Sequence, residues 1–142
     1  MPYFYFTVEY AVKTHDKILE ISGGISGIKD FGNLESPLEH IQNDIYYPEL
    51  EDKITHLVFC VNKNHAFNDG NKRSSIALGA FFLELNGLDS MVSKFIIEME
   101  NIAVHVADNR IDKELLFKII TSLIYEEDYS EELKLKIIDS IS

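Results

Sequence analysis

His65-Ala66-Phe67-Asn68-Asp69-Gly70-Asn71-Lys72-Arg73 is a polar loop set between two apolar segments. Before it, Leu50, Ile54, Leu57, Val58 and Val61 recur at helical spacing, which predicts an amphipathic helix over 50–64. His65 lies eleven positions after Ile54. That is about three turns on, so the spacing predicts that it projects from the same buried-side face. After the loop, Ile76 to Leu83 is apolar without a break. A helix apolar all round belongs in the middle of a bundle. A short polar loop therefore joins two buried helices, the usual way a rigid scaffold positions reactive groups.

Working outward, Thr7 predicts an N-cap for a helix carrying Val8, Ala11, Val12, His15 and Ile18 on one face. Gly23-Gly24 stop it. His15 reads as a core histidine with one satisfied nitrogen. Residues 23–33, rich in Gly, Ser and Asp, read as a loop or small hairpin with Phe31-Gly32-Asn33 at its tip. Ser36-Pro37 predicts the start of a short helix, with Ser36 as N-cap. Asn86-Gly87 end the central helix. Phe95, Met99, Ile102 and Val106 mark another, and Asp112 caps the next, with Leu115, Leu116, Ile119 and Leu123 inward. An acidic connector over 126–132 precedes a last short helix with Leu133, Ile137 and Ile141. No alternating β pattern of any length is present. The expected fold is all-α, a compact single-domain bundle over 1–142 of about six or seven helices with a small flap loop or hairpin.

Thirteen basic against 24 acidic residues give a net charge of -11. A field of that sign attracts neither nucleic acid nor an anionic membrane. It leaves room for a small phosphate ligand at a local positive spot, and Lys72 and Arg73, with Lys63 nearby in sequence, form the best one. Cys60 stands alone, so there is no disulfide framework, and it reads as a buried structural thiol. The start, MPYFYF, lacks a basic leader region, and the longest apolar run is too short to span a bilayer. A cytoplasmic protein is expected.

As chemistry, His65 can abstract a proton near neutral pH. Asp69 offers hard oxygens suited to Mg²⁺, which keeps phosphate oxygens and water as its other ligands. Gly70 and Asn71 lie where the second helix begins, and free N–H groups there bind anions. Arg73 presents a fork for phosphate oxygens. Phe67 points inward as the anchor of the loop. Base, carboxylate, anion cradle and cation together describe transfer of a phosphorus-containing group to a hydroxyl. The rivals are a chance cluster of polar residues and a metal-only site on His65 and Asp69, for which zinc would need a further ligand.

At these residues the sequence resembles the Fic/Doc family, whose signature is H-x-F-x-[DE]-[GA]-N-[GK]-R. His65, Phe67, Asp69, Gly70, Asn71, Lys72 and Arg73 fill every position. GIKDFGNLESPLEHI, residues 27–41, is similar to the family's segment before the motif, with Pro37 where Ala is usual. TVEYAVKTHDKIL resembles the first helix of Doc-type members, including the pair His15-Asp16. The likeness runs over 7–125 and leaves the acidic connector and last helix, 126–142, outside it.

The resemblance implies ATP as substrate and Mg²⁺ as cofactor. His65 would be the base, Asp69 the metal carboxylate, Gly70, Asn71 and Lys72 the anion hole, and Arg73 a phosphate ligand. Asp30, Phe31, Gly32, Asn33 and Leu34 would form a flap that docks the target segment by strand pairing. Lys72 matches Doc-type members, which phosphorylate a protein hydroxyl. Gly70 matches the members that transfer AMP. The implied activity is that of a toxin modifying a translation protein such as elongation factor Tu, restrained by an antitoxin. AMP transfer, or a non-enzymatic module that kept the fold, are the alternatives. An internal inhibitory helix would place Glu126, in SLIYEE at 122–127, on Arg73. That segment has Glu127 where the family has Gly or Asn.

Overall fold

A computed structural model describes residues 2–142. Seven α-helices follow in order among them: α1 Val8–Ser22, α2 Gly32–His40, α3 Leu50–Lys63, α4 Asn71–Leu85, α5 Val92–Ala107, α6 Lys113–Tyr125 and α7 Glu131–Ile141. A 3₁₀ turn, Asp89–Met91, leads into α5. Among the described residues the only β pairing is an isolated antiparallel bridge, Ile28 with Phe67. The all-α expectation holds, and no helix is long and apolar enough to cross a membrane.

Local chemistry sets most boundaries. The Thr7 hydroxyl accepts from Tyr10 N at 3.1 Å, and Asp112 from Leu115 N at 2.8 Å, so each removes one orphan donor of its helix. Ser130 does the same for α7. Glu49 and Asp52 form a reciprocal capping box at α3. Gly23 and Gly87, at φ 78° and 86°, take the left-handed geometry after α1 and α4.

The start of α2 differs from expectation. It begins at Gly32, four residues before Ser36, because Asp30 performs the capping: its carbonyl and its carboxylate both lie 3.2 Å from Asn33 N. Pro37 thus sits inside the helix, where its missing N–H leaves one backbone bond unmade. Phe31-Gly32-Asn33 is therefore not a loop tip but the first turn of a helix.

The core lies around α3 and α4. Ile54, Leu57, Val58 and Val61 of α3 meet Leu78, Phe82 and Leu83 of α4, and Phe95 and Met99 of α5 close the other side. The N-terminal segment adds Tyr5 and Phe6 against Phe82. Lys53 is fully buried, its ammonium donating to Ile41 O at 2.6 Å and Asp44 Oδ1 at 2.7 Å. Burial opposes its charge, but the hydrogen bonds to Asp44 and Tyr5 prevail and its pKa is raised. The α2–α3 connection is so tied to α3 from inside.

Gly79 lets the three central helices approach. A Cβ there would lie 2.8 Å from Val58 Cγ2 and 2.9 Å from Phe95 Cζ. Replacing a helical glycine by alanine gains about 0.5–1 kcal/mol of backbone entropy, whereas overpacking a filled core costs about 1–3 kcal/mol. Gly79→Ala is expected to lower stability in urea unfolding. A midpoint at or above that of the wild type would show that the helices separate freely at this contact.

Candidate active site

The loop begins where α3 stops. Asn64 N donates to Cys60 O at 2.8 Å and closes the helix. His65 then turns the chain at φ 50°, and its side chain is exposed. The expectation that His65 shares the buried face of Ile54 is corrected. Helical periodicity ends at the cap, and a left-handed residue points the next side chain elsewhere. An exposed imidazole is one that a group arriving from outside can reach.

Ala66 and Phe67 dive back into the core. The segment 27–30 lies along them: Lys29 N and Asp30 N donate to Ala66 O at 2.8 and 3.0 Å, and Asn68 N donates to Gly27 O at 3.1 Å. This extended piece, rather than 30–34, is the strand-like neighbour of the loop. Of the expected flap residues, Gly32, Asn33 and Leu34 lie in α2, and Leu34 is fully buried. Asn33 Nδ2 donates to Asn64 O at 2.7 Å and ties α2 to the end of α3.

Two polar side chains, Asn71 and His15, fix the loop from behind. Asn71 accepts from Phe67 N at 3.1 Å and donates to Phe67 O at 3.0 Å, stapling the turn across four residues. Its amide is thus committed, and only its backbone N–H is left for a ligand. The His15 ring, fully buried, stacks on Phe67 with centroids 3.6 Å apart and planes 4° from parallel. Its Nε2 lies 2.6 Å from Asp69 O, so that nitrogen carries the proton and donates it. Its Nδ1 lies 3.4 Å from Asp16 Oδ1. His15 is a core histidine as expected, but both ring nitrogens have partners. The spacing alone did not place it under the motif; the His15-Asp16 pair was the signal.

Asp69 is held by backbone donors: Ile25 N at 3.1 Å to Oδ2 and Gly70 N at 2.8 Å to Oδ1. Gly24 makes this possible. A Cβ there would lie 2.7 Å from Asp69 Oδ2, a contact that a sequence reading of Gly23-Gly24 as a helix stop does not foresee. Gly70, at φ 79°, is the N-cap of α4 and offers no capping side chain. Ser74 N is the first to bond backward, to Gly70 O at 2.9 Å. The N–H groups of the first turn therefore lie open at the positive end of a 15-residue helix. Lys72 is exposed on that turn. Arg73 donates from Nη1 to Ser22 Oγ and to Gly23 O, the latter at 3.3 Å. Lys63, read above as part of the positive spot, instead donates to Asn109 Oδ1.

Among the described residues no three His, Cys, Asp or Glu side chains gather as a metal site. Asp69 alone fits an ion that takes most of its ligands from elsewhere, as Mg²⁺ does on phosphates. Cys60 is half-buried, 3.7 Å from the His56 ring, and burial pushes its thiol pKa up. Glu126 lies at the end of α6, lining a groove with Ser130 and Leu133 of the α7 end. It does not pair with Arg73, so the internal-inhibitor reading fails.

The arrangement is that of a helical protein with an open helix N-terminus in a polar loop and an exposed imidazole at its edge. The Fic/DOC family model matches residues 5–83, more than half of the chain. Toxin Doc of Mycolicibacterium smegmatis (strain ATCC 700084 / mc(2)155) is 32% identical over 94 residues, covering 63% of this chain and 72% of that protein. Protein kinase doc of Escherichia phage P1 is 32% identical over 84 residues, 56% of this chain and 66% of that one. The chain belongs to the Fic/Doc family.

The electrostatics of Asp69 give a pH test. The Ile25 N–H, then the Gly70 N–H, favour the carboxylate and hold its pKa below the ordinary 3.8; burial opposes them, and the charges of Arg73 and Lys72 add smaller support. A depressed carboxylate stabilises the fold above its unfolded pKa, and that contribution is lost as pH falls through the folded value. The Ile25 amide should stay hydrogen-bonded at pH 3.8 and release below it. Its NMR shift, followed against pH in wild type and Asp69→Asn, measures this. A midpoint at or above 3.8 would contradict the geometry.

Proposed function

We propose that this protein is a Doc-type protein kinase: it transfers the γ-phosphoryl group of ATP to a hydroxyl of a target protein. The observation that carries the proposal is the open first turn of α4, with Lys72 exposed on it and Arg73 beside it, next to the exposed His65. The name of the phage relative, a protein kinase, supports the same chemistry.

In this reading His65 removes the proton of the acceptor hydroxyl as its oxygen attacks the γ-phosphorus. The bond from that phosphorus to the bridging oxygen breaks, and ADP leaves. The N–H groups of Asn71 and Lys72 receive phosphate oxygens, the Gly70 N–H staying on Asp69, and the Lys72 and Arg73 side chains add charge-assisted hydrogen bonds. Mg²⁺, held on the protein side by Asp69, would neutralise phosphate charge. Phe67, His15 and Asn71 keep the loop still, so the groups need no reorganisation at the moment of transfer.

The target docks along the exposed edge near 27–31, beside the flap residue Asp30. Ile25, Ile28 and Phe31 expose apolar surface there. A translation factor such as elongation factor Tu is the proposed target, and an antitoxin is the proposed restraint. The toxin name of the mycobacterial relative supports the antitoxin. The protein is proposed to act in the cytoplasm, where such a target resides. AMP transfer is the second reading, favoured by Gly70. Alanine there would be strained at φ 79° and would set its Cβ 3.2 Å from Leu19 Cδ2. Retention of His65, Asp69 and Arg73 speaks against a purely structural module.

Elongation factor Tu incubated with the protein and ATP should gain the mass of one phosphoryl group, with label arriving from γ- and not α-labelled ATP. His65→Ala should reduce the rate by about 10²–10⁴-fold, and Lys72→Gly should weaken the phosphoryl label. A gain of one AMP instead would establish the second reading.

Magnesium dependence is tested separately. Calorimetric titration with ATP should show tighter binding with Mg²⁺ for the wild type and loss of that increment in Asp69→Ala. Equal affinities in all four combinations would remove Asp69 from the metal role.

A further inference from the structure

A second recess lies at the other end of α3. It is an open recess of about 330 Å³ between the α2–α3 connection and the first turns of α3 and α6, of a volume usual for small-molecule sites. Thr55 is eight residues before Lys63, the last residue of α3, or about 12 Å along the helix axis, so this recess is separate from the transfer loop. Tyr46, Tyr47 and Phe117 give it aromatic walls.

Two polar groups at this recess lack the partners their chemistry calls for. Thr55 is 2% exposed and lines it, yet its hydroxyl has no hydrogen-bond partner. A buried hydroxyl left so costs about 1–3 kcal/mol. Lys113 has no carboxylate within ion-pair distance among the described residues, although the chain carries 24 acids. Its ammonium instead donates to His56 Nδ1 at 2.7 Å and lies 5.7 Å from the centre of the Tyr47 ring. His56 in turn has Nε2 at 3.0 Å from His40 Nδ1. Burial, then the charge of Lys113 and then His40, push the His56 pKa down to about 4, so it stays a neutral acceptor behind the lysine. The ammonium keeps two further N–H donors.

The acidic neighbours are engaged elsewhere. Glu114 lies 3.6 Å from Lys118, and Asp52 accepts from Glu49 N at 3.0 Å. They still weaken the positive field of Lys113, and their repulsion grows with ligand charge, so a dianion such as a phosphate monoester is opposed about twice as strongly as a monoanion seated directly on the ammonium. A monoanion with a flat apolar body suits the lining.

We propose that this recess binds a small aromatic carboxylate, its anion on Lys113 and the Thr55 hydroxyl and its ring against Tyr47 and Phe117. The same chemistry is offered by a free aromatic acid and by the C-terminus of a peptide ending in an aromatic residue.

The test is an NMR titration of the full chain with benzoate, benzamide and N-acetylphenylalanine, a readout that needs neither ATP nor a target protein. Benzoate or N-acetylphenylalanine should shift the amides of Tyr47, Thr55 and Lys113 saturably, with affinity in about the millimolar range expected for so few atoms. Benzamide, isosteric but neutral, should bind about tenfold more weakly than benzoate. Thr55→Val, which keeps the shape and removes the hydroxyl, and Lys113→Met should each weaken carboxylate binding by a similar factor, while Thr55→Ser should retain it. Tighter binding of N-acetylphenylalanine assigns a chain terminus, and tighter binding of benzoate a free acid. No saturable shift from either acid, equal binding of benzamide, or unchanged affinity in folded Thr55→Val overturns the proposal.

Discussion

The hydrogen bond from His15 Nε2 to the carbonyl of Asp69, 2.6 Å long, joins the first helix to the turn on which the site depends. The same ring stacks on Phe67, so one buried side chain fixes the loop by a polar and an apolar contact at once. An Asp69 carbonyl so placed cannot rotate without leaving a buried imidazole N–H unpaired, which costs about as much as a typical hydrogen bond and its desolvation together. With the carbonyl held, the carboxylate of Asp69 accepts from Ile25 N and Gly70 N. The left-handed Gly70 then launches α4. Geometry passes from α1, through one ring, to the helix terminus that would bind an anion.

The helices around this contact exist to keep it dry and rigid. α4 is buried over Ser74, Ser75, Leu78, Gly79, Ala80, Phe82 and Leu83, so its first turn is carried by a helix that cannot shift without opening the core. α3 delivers His65 from a helix whose inner face is equally packed. What moves least is what the chemistry needs least to move.

Much of this was legible in the sequence, for definite reasons. The Thr7 and Asp112 caps, the Asn86-Gly87 stop and the inward rows of α5 and α6 are local, and local rules decided them. The motif was legible because its residue types are rare in that order. The misreadings share a cause. Ser36-Pro37 looked like a helix start by local statistics, but Asp30 capped the helix earlier, and Leu34 had a buried place to fill. Helical spacing carried on to His65 overruns a helix that ends at Lys63. Gly24 read as a stop signal, whereas its lack of a side chain matters for an oxygen 45 residues away. Such contacts between distant segments leave no periodic trace.

The charged groups of the loop are partnered in a way that keeps them available. Asp69 and Arg73, four residues apart at the start of a helix, could have neutralised one another; they do not form an ion pair. Asp69 faces two neutral N–H donors, and Arg73 faces a hydroxyl and a carbonyl. A carboxylate bonded to N–H groups keeps its negative charge and lone pairs for a cation, and a guanidinium bonded to neutral oxygens gives them up readily for phosphate, because a charge-assisted bond is roughly twice as strong as a neutral one. In a chain of net charge -11, an ion pair here would have halved the positive charge that Arg73 and Lys72 bring to the loop. The segment 22–25, bent by two glycines, supplies Arg73 with the Ser22 hydroxyl and the Gly23 carbonyl and Asp69 with the Ile25 N–H, and so gives both charges neutral partners.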